Sequence, residues 1–178
     1  GHLTRATRNP EGLARALSIY FGVPVQVQEF CLHFLELELA QQTRLTRDAC
    51  NSQLGVDVVV GSRVPDAQSK FRLRIGPLDL PQYERFLPGG DDFQALIDWT
   101  RNYLGIEYAW DFQLVLKREQ VPRSQLGGAG RLGWTSWSLD APATQDADDF
   151  CLGPERWLKQ RNKPLRGRAS QRNKAAAA

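Results

Sequence analysis

A helical stripe that ends at a glycine and runs straight into an alternating strand occurs twice in this sequence, 83 residues apart. In the first copy Asn9-Pro10 supplies an N-cap and a proline at the first helical position. Leu13, Ala16, Leu17, Tyr20 and Phe21 then recur at helical spacing until Gly22. In the second, Asp91 is placed to cap, Phe93, Leu96, Ile97, Thr100, Tyr103 and Leu104 form the stripe, and Gly105 stands where Gly22 did. The offset pairs Leu13 with Leu96, Tyr20 with Tyr103, Val25 with Tyr108 and Val27 with Trp110. Each glycine opens a period-two segment. Val25 and Val27 alternate with Gln26 and Gln28, while Tyr108, Trp110, Phe112, Leu114 and Leu116 form one face of the clearest strand in the chain.

Between the two copies, Leu35, Leu37 and Leu39 alternate with Glu36 and Glu38. Val56 to Val64 and Lys70 to Ile75 read as strands, and the short Pro65 to Ser69 link predicts that they form a hairpin. Gly76-Pro77 breaks the second strand, a short helix passes through Tyr83 and Phe86, and Pro88-Gly89-Gly90 ends it. Loops echo each other too. The first unit runs on to Leu45 and then Gln53-Leu54-Gly55, the second to Gln125-Leu126-Gly127 and then Arg131-Leu132-Gly133. The expected fold is α+β: two similar helix-plus-antiparallel-strand units with extended loops, over residues 1–88 and 89–154, and a basic C-terminal tail over 155–178.

The chain has 178 residues, 42% of them hydrophobic and 24% charged, so a self-sufficient core is possible and a disordered or collagen-like chain is excluded. No stretch approaches the roughly 18 apolar residues of a membrane span, so a soluble, cytoplasmic protein is expected. Starting at Gly1 and lacking methionine, the sequence reads as part of a longer protein. The three cysteines, Cys31, Cys50 and Cys151, lie far apart and fit neither a disulfide framework nor a CxxC pair. Net charge is +3, yet residues 155–174 hold eight Lys/Arg against Glu155 alone, which leaves the remainder with fifteen basic and nineteen acidic residues. Such a tail could serve a nucleic-acid adaptor, but no aromatic residue follows Trp157 to stack on bases, and no nucleic acid is expected.

Chemistry is sparse. Only His2 and His33 offer imidazoles, and Cys31 and His33, two apart, would share one face of a strand. A small cytoplasmic enzyme using that pair is an alternative, though a free cysteine is more often a core residue. Gly128 to Gly133 matches GxGxxG, but it lies between neither strand and helix, the context that dinucleotide binding requires. No catalytic residue, metal ligand or cofactor is therefore nominated. What rises above this background is a set of large apolar residues beside glycines in loops: Leu45, Leu54, Leu126, Leu132, Trp134 and Trp137. They are candidate partner-binding anchors, and the two tryptophans could equally pack inward on a closing strand.

Five ordered segments remain to be placed: Thr7 to Leu13 running into Tyr20 to Val25; Gln53 to Val64; Gln68 to Leu78; Tyr83 to Gly90; and Arg131 to Trp137. Together they resemble the type VI secretion system baseplate subunit TssG. The chain is similar to the C-terminal part of that family. The resemblance implies a non-catalytic wedge component that works with two copies of TssF, with two TssK trimers and with TssE, beneath the inner membrane and supporting the sheath and inner tube. A duplicated unit can present one docking element twice. On this reading Leu45 and Leu54, and Leu126, Leu132 and Trp134, dock TssK while the helix and strand faces pack on TssF.

Overall fold

A computed structural model describes residues 9–38, 42, 61–122, 130–137 and 143–161. Helix α1 spans Pro10–Phe21, with the Asn9 side chain accepting from the Glu11 amide and Gly22 closing the helix at φ 68°. Its continuation is fixed locally, because the Ser18 hydroxyl accepts from the Val25 amide at 3.0 Å and turns the chain into β1, Val25–Gln28. Strands β2 (His33–Glu36) and β3 (Arg63–Asp66) follow, then β4 (Lys70–Leu78), α2 (Leu80–Phe86), α3 (Asp91–Leu104), β5 (Ala109–Leu116), β6 (Ala147–Leu152) and α4 (Pro154–Arg161).

Four strands form one sheet in the order β1-β4-β5-β6, and β2 and β3 pair separately. Sheet register explains the periodicity seen in the sequence. Val25, Ile75, Leu114 and Phe150 lie in one row across the sheet, and Val27, Leu73, Phe112 and Leu152 in the next. These rows join Leu13, Leu17 and Phe21 of α1, Tyr83 and Phe86 of α2, and Phe93, Leu96 and Ile97 of α3 in a single core. The intervening rows, Gln26-Arg74-Gln113-Cys151 and Gln28-Arg72-Asp111, form the opposite face. The two helices of the repeat meet at their ends, the Tyr103 hydroxyl donating to the Asn9 carbonyl at 3.1 Å.

The architecture is α+β, and several details differ from the sequence reading. Both halves of the chain contribute strands to the one sheet. β4 and β5 are parallel, because α2 and α3 form the crossover between them, so the strands are not all antiparallel. The hairpin predicted across Pro65 to Ser69 does not form: β3 pairs antiparallel with β2, and β4 with β1 and β5. Asp66 causes the switch by accepting hydrogen bonds from the Gln68 and Ser69 amides and the Ser69 hydroxyl, an Asx turn that redirects the chain. Val56 to Val60, in the other half of that expectation, lie outside the described residues.

Gly90, not Asp91, is the N-cap of α3. A Cβ there would lie 2.3 Å from the Arg85 carbonyl oxygen, so only glycine lets α3 start against the end of α2. Asp91 and Asp92 occupy the first turn instead, where carboxylates favour the helix N-terminus, and Asp92 pairs with Arg85 at 2.7 Å. Tyr20 and Tyr108 are only about half covered, at 55% and 42% exposed, although their stripes placed them in the core.

Candidate docking surfaces

The chain between β1 and β3 carries the most unusual surface. Phe30, Leu32, Phe34 and Leu35 are all exposed, Phe34 by 62%. The cause lies in the pairing. Among the described residues β2 and β3 bond only to each other, and Phe34 projects from one face of this arm and Leu35 from the other. The Cys31 amide donates to the Lys70 carbonyl at 3.0 Å and anchors the arm to the sheet, and the Leu37 amide donates to the Ser62 carbonyl at 2.9 Å. Arg63 and Glu36 pair across it at 3.1 Å in the open. Two strands alone are marginal in water.

A second surface surrounds the turn at Leu132-Gly133. The Trp134 and Thr135 amides donate to the Arg131 carbonyl, the Thr135 hydroxyl accepts from the Arg131 amide at 2.8 Å, and Gly133 takes φ 77°. Leu132 at the tip is 94% exposed. The base of the turn is anchored to the body: the Tyr83 hydroxyl donates to the Trp134 carbonyl at 3.0 Å, and the Trp137 ring meets Tyr83 edge-on at 5.9 Å. Trp137 also donates from Nε1 to Asp149 at 3.1 Å, and Arg131 lies over the Trp134 ring. Burial, with the nearby Asp149 charge, pushes the Tyr83 phenol well above its ordinary pKa, so it remains a hydrogen-bond donor at any physiological pH.

Of the six candidate anchors, Leu132 is presented to solvent, while Trp134 and Trp137 are half-buried against the core and secure the turn. Leu45, Leu54 and Leu126 lie outside the described residues. The sequence reading missed Phe30, Leu32, Phe34 and Leu35 as surface. A signal was present: large apolar side chains at both parities of one short run cannot all face a core on one side of a strand.

The alternative chemistry is not assembled. The Cys31 thiol donates to the Gln28 carbonyl, and His33 faces Asp66 at 3.8 Å. On the open face of the sheet, Asp111 is bound by Lys70 Nζ at 2.6 Å and by Arg72 Nε and Nη2 at 2.6 and 3.0 Å. Burial would raise the Asp111 pKa; the Arg72 and Lys70 bonds outweigh it and hold the carboxyl below its usual range. Cys151 lies beside this cluster, where burial and the Asp111 charge push its thiol up and disfavour the thiolate. Among the described residues no group of His, Cys, Asp and Glu could hold a metal ion, and no helix is long and apolar enough to cross a membrane.

Comparison with solved structures finds the same fold in a chain from the type VI secretion system TssK-TssF-TssG baseplate subcomplex determined by cryo-electron microscopy. The TM-score is 0.62 at 20% identity, covering 84% of this chain and 62% of that one. A chain of the baseplate complex from the type VI secretion system matches with a TM-score of 0.58 at 18% identity, covering 84% of this chain and 43% of that one. The protein thus spans less than two thirds of the length of either. No curated protein matches the sequence. The sequence model of the family described as "Type VI secretion, TssG" matches residues 1–138, which is most of the chain, and the chain belongs to the TssG family.

Proposed function

We propose that this chain is a structural, non-catalytic part of a type VI secretion baseplate wedge, an adaptor that joins TssF to TssK. The observation that carries this reading is the β2–β3 arm, whose apolar residues on both faces have no cover within the described fold. Membership of the TssG family and the likeness to chains from TssK-TssF-TssG and baseplate assemblies support it. In this reading the helix and strand faces of the body pack on two copies of TssF. Two segments of the chain, one bracketed by Leu45 and Leu54 and the other by Leu126 and Leu132 and including Trp134, each engage a TssK trimer. TssE joins the same wedge, which assembles in the cytoplasm at the inner-membrane face and supports the sheath and inner tube.

Co-purification with TssF and TssK tests this. Leu45→Asp/Leu54→Asp and Leu126→Asp/Leu132→Asp should each remove one TssK trimer and retain TssF, and the combined variant should remove both. Undiminished TssK on the combined variant would sink the assignment of these loops. Capture of neither partner by the unaltered chain would sink the adaptor reading itself.

A further inference from the structure

At one end of the two layers, where α1 begins, α3 ends, β1 ends and both β4 and β5 begin, the structure opens into a groove of about 610 Å³. Its size is in the range that buries most of a small ligand or a short peptide. Leu13, Phe71 and Leu104 contribute apolar lining, and Phe30 and Tyr108 bring exposed aromatic rings to it. Phe30 reaches this position at φ 57°, in the left-handed region that a bulky residue adopts only when its surroundings demand it. Two carboxylates, Glu29 and Glu107, also line the groove and are exposed, and among the described residues neither takes part in an ion pair. Among the described residues the one cation in the lining, Lys70, is already committed to Asp111 at 2.6 Å. The described lining therefore sets two carboxylates without a cation partner beside aromatic rings, a combination that attracts a cation.

We propose that this groove docks an extended segment of a partner protein in which an arginine or lysine is flanked by apolar residues. The cation would lie against Phe30 and Tyr108 and pair with Glu29 and Glu107, and the flanking side chains would cover Leu13, Phe71 and Leu104. None of the described lining residues belongs to the leucine loops, so the test below is separate from theirs.

Titration calorimetry of the full chain with acetyl-Leu-Arg-Leu-Arg-Leu-amide tests it, with the matching Leu-Glu-Leu-Glu-Leu peptide as the control. The arginine peptide should bind, the glutamate peptide should not, and Glu29→Gln/Glu107→Gln should weaken binding by about tenfold. Salt should weaken it as well, since the charges are open to solvent. Phe30→Gly should lose binding while the urea midpoint holds, because glycine accepts the left-handed backbone that phenylalanine strains to adopt. Equal binding of both peptides, or unchanged binding by the double variant, would overturn the proposal. So would an absence of binding to the unaltered chain. If binding then appeared in a full chain with Lys163, Arg166, Arg168, Arg172 and Lys174 changed to Gln, the occupant would be the chain's own basic tail.

Discussion

Two pairs of strands in this protein place their apolar side chains differently and meet different fates. In β4 and β5 most of the apolar residues fall on one parity and enter the core, so that Leu73, Ile75, Phe112 and Leu114 are fully buried, and Val115 on the other parity is buried as well. In β2 and the segment leading to it, they fall on both parities and stay in solvent. The first pattern closes a fold by itself. The second leaves exposed apolar area that only another surface can remove from water, at roughly 25 cal/mol per Å². The hydrophobic pattern of a strand thus reports whether its cover is supplied by the same chain.

This contrast is sharpest under truncation. Leu73→Ala, in the middle of the buried row, should cost about 3 kcal/mol, because the lost side chain leaves a cavity between the sheet and α1. Phe34→Ser should change the stability of the isolated chain by no more than about 0.5 kcal/mol. Urea unfolding of both variants measures the difference. A Phe34→Ser cost comparable to that of Leu73→Ala would mean that the arm is covered within the chain.

Asp111 tests the open face of the sheet. Its side chain is only 7% exposed, yet Lys70 and Arg72 keep access to water. Asp111→Asn should therefore cost about 2 kcal/mol, less than the ~3–5 kcal/mol of a fully buried pair. The folded pKa lies below the unfolded value of about 3.9. The contribution of the pair is thus complete above about pH 4 and disappears as pH falls through the folded value. Stability measured between pH 2 and 5 should fall less steeply in Asp111→Asn than in the unaltered chain; parallel curves would show that Asp111 has no part in the acid sensitivity.

Tyr83→Phe is a smaller change, removing one hydrogen bond from the base of the Leu132 turn. It should cost about 1 kcal/mol, since the Trp134 carbonyl loses its partner while the ring packing with Trp137 and Phe150 remains. Hydrogen exchange should quicken at residues 134–137 and hold steady in α3. Unchanged exchange at the turn would mean that Trp137 and Asp149 suffice to hold it.

Local signals made the helices legible and left the strand partners obscure. Asn9-Pro10, Gly22 and the stripe between them act within a few residues of one another, and α1 forms where they place it. Period two states which side chains share a face but names no neighbour, and Asp66 takes the chain out of one sheet and into another with a turn that also suits a hairpin. The repeat shows the same limit. Tyr20 and Tyr103 occupy equivalent positions, yet Tyr20 is 55% exposed beside Trp99 while Tyr103 is buried and bonded to Asn9. Tertiary position, which the stripe does not encode, decided between them. The candidate site was legible in the same degree: a large side chain beside a glycine marked the turn, but Leu132 and Trp134, two residues apart, differ in exposure because Trp134 packs against the core while Leu132 sits at the tip of the turn.

Leu132→Asp carries the smallest expected effect on the fold and separates the two roles within that turn. The side chain is almost wholly in solvent and the backbone conformation of the turn depends on Gly133 and Thr135, so unfolding should move by no more than about 0.5 kcal/mol. If Leu132 is an anchor for TssK, burying a carboxylate without a partner at the centre of that contact should weaken capture by at least tenfold, or about 1.4 kcal/mol. Trp134→Ala should do the reverse in part, lowering stability through lost packing on the core before any effect on a partner is felt. Measured together, unfolding and TssK capture place each residue on one side of that division. A Leu132→Asp variant that unfolds normally and captures TssK normally would leave the turn as packing only, and would leave docking of TssK to the Leu45 and Leu54 segment.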